Sequence, residues 1–287
     1  MDKITFKLGE LFSGAGGIAW GAKNAFSDNK ELNISHGWAV DIDEDACRTY
    51  NYNLLDNKAT RLYCKDVRKI KISALSDIDA FAYGFPCNSF SYLGKHKGIE
   101  DKKYGELYLY GVKVLNHHKP KWFIAENVVG IQSTGNREHF KKICEDLTSA
   151  GYKLYPNLYK FEEYGIPQKR HRVIIVGIRN DLHKQGLEYK IPSPEIYSDI
   201  DNSAGSALAF IPPNAPNHEI VYPNATVKER LAHIKPGQNI WEADLPKHLT
   251  IEGHAKFSQT YRKLDPKEPA YTDSRRRWRY FYVSLAV

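Results

Sequence analysis

The strongest constraint on the fold is an alternation of short apolar runs with helix-like segments between residues 7 and 179. The apolar runs, each of strand length, lie at residues 8–12, 37–40, 61–64, 80–83, 122–125 and 172–178. Polar stretches with helical spacing separate them, for example at 43–52 and 107–115. This alternation predicts an α/β fold, with a mostly parallel sheet and helices on both faces. The run at 153–161 comes shortly before 172–178, which predicts an antiparallel, hairpin-like addition.

The texture of the chain changes after residue 180. Eight prolines fall between residues 192 and 246, and the apolar periodicity fades. Such a segment is typical of a loop-rich second domain with few regular elements. We therefore predict an α/β domain at 1–180, a second region at 181–272 whose end returns to the first domain, and an atypical basic tail at 273–287.

Composition restricts the class of protein. Charged residues make up 26% and hydrophobic residues 42% of the 287-residue chain, which is typical of a soluble globular protein. No apolar run approaches the roughly 20 residues of a membrane span, and the start lacks a signal-peptide core, so we expect a cytoplasmic protein. The cysteines Cys47, Cys64, Cys87 and Cys144 are too scattered for a zinc site or a disulfide framework. The net charge of +7 suits a polyanionic partner.

One thiol stands directly after a predicted buried strand, in the segment Gly-Phe-Pro-Cys-Asn-Ser-Phe-Ser at 84–91. The chain turns at Pro86 and presents Cys87 where it can face a pocket instead of the core. Glu126 and Asn127 follow the next such strand. A thiol nucleophile and an acid at the carboxyl ends of two strands form a plausible pair for covalent catalysis.

Three other strand ends carry features of a nucleoside site. The segment Phe-Ser-Gly-Ala-Gly-Gly at 12–17 follows the first strand and opens a predicted helix, although a plain tight turn also explains it. Asp41 ends the second strand, where an acid typically receives ribose hydroxyls, and Asp66 ends the third. Phe12 replaces the first glycine of the dinucleotide fingerprint. That favours a ligand without pyrophosphate, and S-adenosylmethionine fits because it has adenosine but no phosphate.

A basic cluster, Gln-Lys-Arg-His-Arg at 168–172, enters the last strand. Alternation along one strand would place Gln168, Arg170 and Arg172 on the same side. Two arginines and an amide aimed together suit contacts to phosphate and to a base. A solvated strand end with counter-charges is the alternative.

Together these blocks resemble the C5-cytosine DNA methyltransferase family. The resemblance covers residues 7–180 in order, with a further block at 261–272. The segments at 12–17, 84–91, 126–128 and 168–172 are individually modest, but their order and spacing are specific. Asn88 departs from the glutamine that the family usually has after the cysteine. The resemblance implies a Rossmann-like sheet that binds S-adenosylmethionine, and a small target-recognition domain that reads double-stranded DNA with residues 181–260.

The resemblance also implies catalytic roles. Cys87 would add to C6 of cytosine and make C5 nucleophilic, while Glu126 would hold or donate a proton at N3. Asn127 would help orient the loop, and Arg172 would neutralise charge on the O2 side of the base. The base would be flipped out of the duplex, and the cofactor would leave as S-adenosylhomocysteine.

Further residues are assigned by the same resemblance. Arg170 and Gln168 would arrange the loop and a nearby phosphate, and the loop 89–103 would close over DNA. Leu107 is as well explained by core packing as by cofactor contact. The residues that would line or shape the cofactor pocket are Phe12, Gly14, Ala15, Gly16, Gly17, Asp41, Ile42, Asp66, Val67, Pro86 and Leu107.

The last residues differ from the family pattern. The family closes with a helix and a Gly-Asn-Ala/Ser-Val block, whereas here Arg275, Arg276, Arg277 and Arg279 follow Thr272 closely. Relatives in the family often have a glycine-rich run at this place. Glycine codons read one base out of phase can spell arginine and tryptophan, so we hypothesise a frame shift near Thr272. A second polypeptide would then supply the block. A basic tail that grips DNA is the competing interpretation.

Three functions follow from these observations. The leading one is a DNA cytosine-C5 methyltransferase of a prokaryotic or phage restriction-modification system, located with the nucleoid. An incomplete, non-catalytic relative that binds DNA or a partner is the alternative. A tRNA cytosine-C5 methyltransferase is disfavoured, because that branch has a Cys-Phe-Thr signature in the second domain and this chain has no cysteine after Cys144.

Overall fold

The structure is a computed structural model that describes residues 4–25, 32–86, 106–216, 223–251 and 261–272. The strands of this part are β1 Ile4–Leu11, β2 Leu32–Asp41, β3 Leu62–Cys64, β4 Ala80–Tyr83, β5 Trp122–Val128, β6 Tyr152–Lys160, β7 Gln168–Lys169, β8 His171–Arg179 and β9 Ala270–Tyr271. The α-helices are α1 Gly17–Lys23, α2 Glu44–Leu54, α3 Tyr108–His118, α4 Arg137–Ser149, α5 Asn180–Lys184, α6 Ala204–Ala209 and α7 Ala225–His233. Among these residues, no helix is long and apolar enough to cross a bilayer.

A seven-stranded sheet forms the centre of the fold, in the order β3-β2-β1-β4-β5-β8-β6. Strands β1 to β5 pair in parallel, and β8 runs antiparallel to β5. The α/β prediction is therefore confirmed, and β6 lies beside β8. The strand order reverses at β1, between β2 and β4. Parallel sheets bind ligands at the carboxyl ends of the strands where such a reversal leaves a crevice.

Side-chain size differs between the two faces of the sheet, as β4 illustrates. Phe81 and Tyr83 belong to the large cluster that includes Trp38 and residues of α3 and α4. Ala80 and Ala82 point the other way, into a smaller cluster with Tyr50 of α2. Successive residues of a strand face opposite sides, so β4 is buried on both faces, as expected for a central parallel strand.

The chain divides into two compact units. The first comprises the described residues up to Tyr159 together with Arg172–Ile191, and the second comprises Lys160–His171 and the described residues from Pro192 onward. The predicted boundary after residue 180 therefore differs from this division, in which residues 160–171 belong to the second unit and residues 172–191 to the first. Residues that follow β8 stay with the first unit: the Asn180 amide donates to the Gly151 carbonyl at 2.9 Å, and the Tyr189 and Tyr159 hydroxyls are 2.9 Å apart.

The second unit is loop-rich and has its own small core. Val227 of α7 packs with Ile234, Ile240 and Tyr261. A two-stranded parallel sheet joins β7 to β9, with Gln168 opposite Ala270. The basic tail at 273–287 lies outside the described residues.

The prediction of one continuous strand through residues 168–172 is wrong. Gln168 lies in β7 of the two-stranded sheet, and Arg172 lies in β8 of the large sheet. The backbone leaves strand geometry at Arg170, whose carbonyl accepts from the Phe161 amide at 3.0 Å. Gln168, Arg170 and Arg172 therefore do not share one face of one strand.

Candidate active site

A cavity of about 440 Å³ lies at the carboxyl ends of β1, β2, β3 and β4. This volume is within the usual range for small-molecule sites. Seven residues assigned to the cofactor pocket line it: Phe12, Asp41, Ile42, Asp66, Val67, Pro86 and Leu107. Sequence reasoning missed four others: Val40, Lys65, Arg68 and Gly84. Three of the four are direct chain neighbours of assigned residues, and Gly84 is the first residue of the segment at 84–91, so position after a strand was the available signal.

The glycines assigned to the pocket are not among its lining residues, but they belong to the loop at 12–17, whose first residue, Phe12, lines the cavity. Gly14 and Gly16 have positive φ angles of 54° and 90°, which side chains rarely adopt. A Cβ at Gly16 would overlap the Leu54 side chain and lie 2.8 Å from Tyr50 Cδ2. Ala15 and Gly17 complete the loop into α1. Glycine is therefore needed at 16 to bring the loop down onto α2.

Asp41 fastens this loop to the end of β2. Its Oδ2 accepts from the Gly14 amide at 2.7 Å, and its Oδ1 accepts from the Asp43 amide at 2.9 Å. A carboxylate can accept about four hydrogen bonds, so acceptor capacity is left for a ligand. The next residue, Ile42, lines the cavity with 66% of its surface exposed, which leaves an apolar side chain free to pack against a ring.

Asp66 is held by an arginine that the sequence did not single out. The Arg68 amide donates to Asp66 Oδ1 at 2.9 Å, and Arg68 Nε lies 3.0 Å from both carboxylate oxygens. The guanidinium, and next the backbone amide, hold the pKa of Asp66 below its usual range. The carboxylate is therefore an ionised acceptor at one end of the cavity.

A carboxylate and an arginine meet at the end of β5. Arg172 Nε lies 2.7 Å from Glu126 Oε1, and the two side chains keep 16% and 27% of their surface exposed. The antiparallel register opposes Val128 to Arg172 and Glu126 to Ile174, so the ion pair is diagonal across the two strands. A Cβ added at Gly84 would lie 3.2 Å from Glu126 Oε2. Glu126 therefore stands beside the carboxyl end of β4.

Asn127 ties β5 to the segment that leads to the predicted nucleophile. It is buried, its Nδ2 donates to the Phe85 carbonyl at 3.1 Å, and its Oδ1 accepts from the Val128 amide at 2.9 Å. Cys87 and the predicted lid at 89–103 lie outside the described residues. The described segment ends at Pro86, which lines the cavity.

Gln168 and Arg170 belong to the second unit, whereas Glu126 and Arg172 belong to the first. The strand that holds Gln168 is joined to the block at 261–272 by side chains as well as by backbone. Lys169 Nζ lies 3.0 Å from Glu268 Oε2, and the Thr272 hydroxyl donates to the Lys169 carbonyl at 2.8 Å. Over the described ranges, no group of three or more His, Cys, Asp or Glu side chains could hold a metal ion.

Comparison with known proteins assigns the family. The model of the C-5 cytosine-specific DNA methylases matches residues 6–280. The chain belongs to the C-5 cytosine-specific DNA methylase family. The resemblance to this family that was inferred from the motifs is thereby confirmed.

Relatives of this methylase cover most of its length. The Type II methyltransferase M.BbvI of Brevibacillus brevis is 47% identical over 94% of this chain and 74% of its own. The Type II methyltransferase M.NgoFVII of Neisseria gonorrhoeae is 32% identical over 93% of this chain and 69% of its own. A crystal structure of a prophage-encoded DNA modification methyltransferase from E. coli aligns with a TM-score of 0.65 at 19% identity. It covers 93% of this chain and 81% of its own, and it supports the fold alone.

Proposed function

We propose that this methylase transfers a methyl group from S-adenosylmethionine to carbon 5 of a cytosine flipped out of a specific site in double-stranded DNA. The observation that carries the proposal is the Glu126–Arg172 pair beside Gly84, at the same edge of the sheet as the cavity. The named relatives are Type II methyltransferases, which supports a role in a restriction-modification system of a prokaryote or phage. Such an enzyme works in the cytoplasm, at the nucleoid.

The cavity suits S-adenosylmethionine in three respects. Asp41 retains acceptor capacity for ribose hydroxyls, Ile42 offers an exposed apolar surface for the adenine ring, and Asp66 offers an acceptor for an amino group. The Ser13 hydroxyl, in the loop after β1, is buried without a hydrogen-bond partner among the described residues, as expected where a ligand or water completes a site. When bound, the cofactor supplies an electrophilic methyl group on a sulfonium.

The protein's own groups activate the base. The Cys87 thiolate forms a bond to C6, and the electron pair displaced from the ring makes C5 nucleophilic. A free thiol has a pKa of roughly 8.5, so the site must favour the thiolate or accept its proton. Glu126 holds the proton at N3, and Arg172 neutralises the charge that develops toward O2. After methylation, loss of the C5 proton and departure of Cys87 restore the aromatic ring.

Other parts of the chain contribute binding. Asn127 fixes the segment before Cys87, while Gln168 and Arg170 contact the loop and a phosphate. The second unit reads the target sequence, and the net charge of +7 favours association with DNA. Extruding the base costs a few kcal/mol, which these contacts offset.

A transfer assay tests the proposal. Wild-type protein and Cys87→Ser are incubated with duplex DNA and cofactor labelled in the methyl group, and bisulfite sequencing of DNA from expressing cells locates the site. We expect label at C5 of cytosine with wild type and none with Cys87→Ser. A parallel reaction that adds a separate fragment carrying the family's Gly-Asn-Ala/Ser-Val block tests whether a second polypeptide raises the transfer. Absence of transfer in both reactions would leave only DNA binding.

A further inference from the structure

A carboxyl group is buried on β1 of the large sheet, two residues before the loop at 12–17. Glu10 of β1 is only 2% exposed. Its neighbours on the adjacent strands are two small residues, Ala39 on β2 and Ala82 on β4. Its side chain enters the face covered by α1 and α2, where it accepts a hydrogen bond from the Ala19 amide of α1. A buried carboxylate is costly unless it is neutralised or fully hydrogen-bonded. The mechanism proposed above does not use Glu10.

Two further polar side chains connect Glu10 to the surface. Tyr50 Oη lies 2.7 Å from Glu10 Oε2, and 3.1 Å from Nδ1 of His36 on β2. His36 Nε2 lies 2.9 Å from the Thr60 carbonyl oxygen. The four groups therefore form one hydrogen-bonded chain from the interior to the partly exposed His36.

Counting protons along this chain shows that its ends are coupled. A carbonyl can only accept, so His36 Nε2 carries a hydrogen. With neutral His36, Nδ1 is an acceptor and takes the single hydroxyl hydrogen of Tyr50. The contact between Tyr50 and Glu10 is then a hydrogen bond only if Glu10 is protonated and donates. The alternative with the same number of protons is an ionised Glu10 that accepts from Tyr50, which in turn accepts from a cationic His36.

Removing one proton from this hydrogen-bonded chain of side chains breaks one of its hydrogen bonds. If Glu10 is ionised and His36 neutral, Tyr50 donates to Glu10 and its oxygen faces the lone pair of Nδ1. The environment favours the protonated, fully bonded form. Burial is the largest cause that raises the pKa of Glu10 to about 7, and burial also lowers the pKa of His36. Backbone hydrogen bonds to Thr60 and Arg61 oppose the effect of burial on the pKa of His36, whereas the charge of Arg61 adds to it.

This chain supports the loop that shapes the cofactor cavity. The Tyr50 ring lies where a Cβ on Gly16 would come within 2.8 Å of Cδ2, so the ring touches the loop itself. Ala19, the partner of Glu10, lies in the first turns of α1, which begins directly after Gly16. Among the described neighbours, the titratable or charged groups that face this chain are Glu10, Tyr50, His36 and Arg61.

We propose that Glu10 is a positioning residue for cofactor binding, which acts through a proton that it shares with His36 across Tyr50. The protonated carboxyl holds Tyr50 against the glycine loop, and ionisation of Glu10 releases Tyr50 from His36 and loosens the loop. Cofactor affinity therefore falls as the pH rises through neutrality. The inference rests on the proposed function, because it concerns the same cofactor cavity.

Glu10→Gln tests the shared proton, because glutamine keeps the shape of the protonated acid. Its Nε2 donates to Tyr50 at every pH, and its Oε1 accepts from the Ala19 amide. Affinity for S-adenosylhomocysteine is measured by calorimetry between pH 6 and pH 8.5. We expect wild type to bind about fivefold or more weakly at the higher pH. We expect Glu10→Gln to keep, at both pH values, the affinity that wild type has at pH 6.

Infrared difference spectroscopy observes the proton directly. Wild type should show the carbonyl band of a buried protonated carboxyl at pH 6, and Glu10→Gln should lack it. The matched control is Glu145→Gln, an exposed carboxylate of α4 paired with Lys141, which should leave both the band and the binding curve unchanged. Tyr50→Phe, which breaks the chain but keeps the ring against the loop, should also remove the pH dependence of affinity.

The results separate failure of this inference from failure of the proposed function. A wild-type affinity that does not change with pH, a Glu10→Gln variant with the wild-type pH dependence, or no carbonyl band at pH 6 would each overturn the role of Glu10. If wild type binds no S-adenosylhomocysteine at any pH, the cofactor assignment fails, and the positioning role fails with it.

Discussion

Replacement of Glu126 by glutamine separates chemistry from folding at the proposed site. Glutamine keeps the volume of the side chain and one oxygen that can accept from Arg172 Nε. It cannot hold the proton at N3 of cytosine in the way a carboxyl group does. Proton transfer by a positioned side chain contributes about 10²–10⁴-fold to a rate, so we expect a loss of that size in kcat.

The effect on stability should be small by comparison. The two side chains keep 16% and 27% of their surface exposed, and partly exposed ion pairs contribute about 1 kcal/mol or less. Glu126 is not among the residues that line the cavity, so affinity for S-adenosylhomocysteine should not change. The loss in transfer should therefore come with a nearly unchanged Tm and an unchanged Kd.

The assay is single-turnover methyl transfer with saturating duplex DNA and labelled cofactor. Calorimetry and thermal unfolding are measured on the same preparations, and Glu145→Gln serves as the surface control. A transfer rate of Glu126→Gln within about threefold of wild type would refute the role given to the carboxyl group, because so small a loss of rate lies far below the contribution of a proton-transfer residue. Loss of folding or of cofactor binding in step with transfer would also refute it.

Three further changes probe the rest of the site. Asp41→Asn can accept a hydrogen bond from only one of the two backbone amides, those of Gly14 and Asp43, because its side-chain NH₂ group, a donor, faces the other amide. Because hydrogen bonds to a charged group contribute about 1.5–3 kcal/mol, calorimetry should show cofactor affinity reduced by tenfold or more. Gly84→Ala puts a Cβ 3.2 Å from Glu126 Oε2, so kcat should fall while Tm stays near wild type; because Gly84 also lines the cavity, cofactor Kd is measured in parallel, and a raised Kd with an unchanged kcat would contradict this. Denaturant unfolding at a series of pH values compares wild type with Glu10→Gln. The ordinary pKa of glutamate is 4.5 and the pKa of Glu10 in the folded state is about 7, so between these pH values only the folded state keeps the proton, and the stability of wild type relative to the variant should fall by about 3 kcal/mol as the pH rises. Parallel stability curves for the two proteins would contradict this.

Position after a strand carried most of the sequence-based prediction. Parallel strands bring their carboxyl ends to one edge, so Phe12, Asp41, Asp66 and Pro86 could be placed around one cavity without knowledge of the loops. The buried run at β4 and the β-branched run in β8 were readable for the same local reason. Each prediction depended on a few adjacent residues.

The errors and omissions share a dependence on distant partners. Gln168 and Arg172 lie in different strands because β7 pairs with β9, where Ala270 lies opposite Gln168. No local sequence pattern reveals a partner that is so far along the chain. Glu10 received no role in the sequence analysis, because its partner Tyr50 lies forty residues later along the chain. Arg68 was missed because its role follows from a short turn that brings its guanidinium back to Asp66.

Covalent trapping tests the central claim most directly, because the account requires a bond between a protein thiol and C6 of the base. Duplex DNA with 5-fluorocytosine at the target position cannot lose a proton from C5 after methylation, so the adduct should persist. The account predicts a denaturation-resistant complex of protein, DNA and one transferred methyl group, with the DNA attached to the peptide that contains Cys87. Methyl transfer to the same cytosine without any covalent complex, or attachment through another residue, would contradict it.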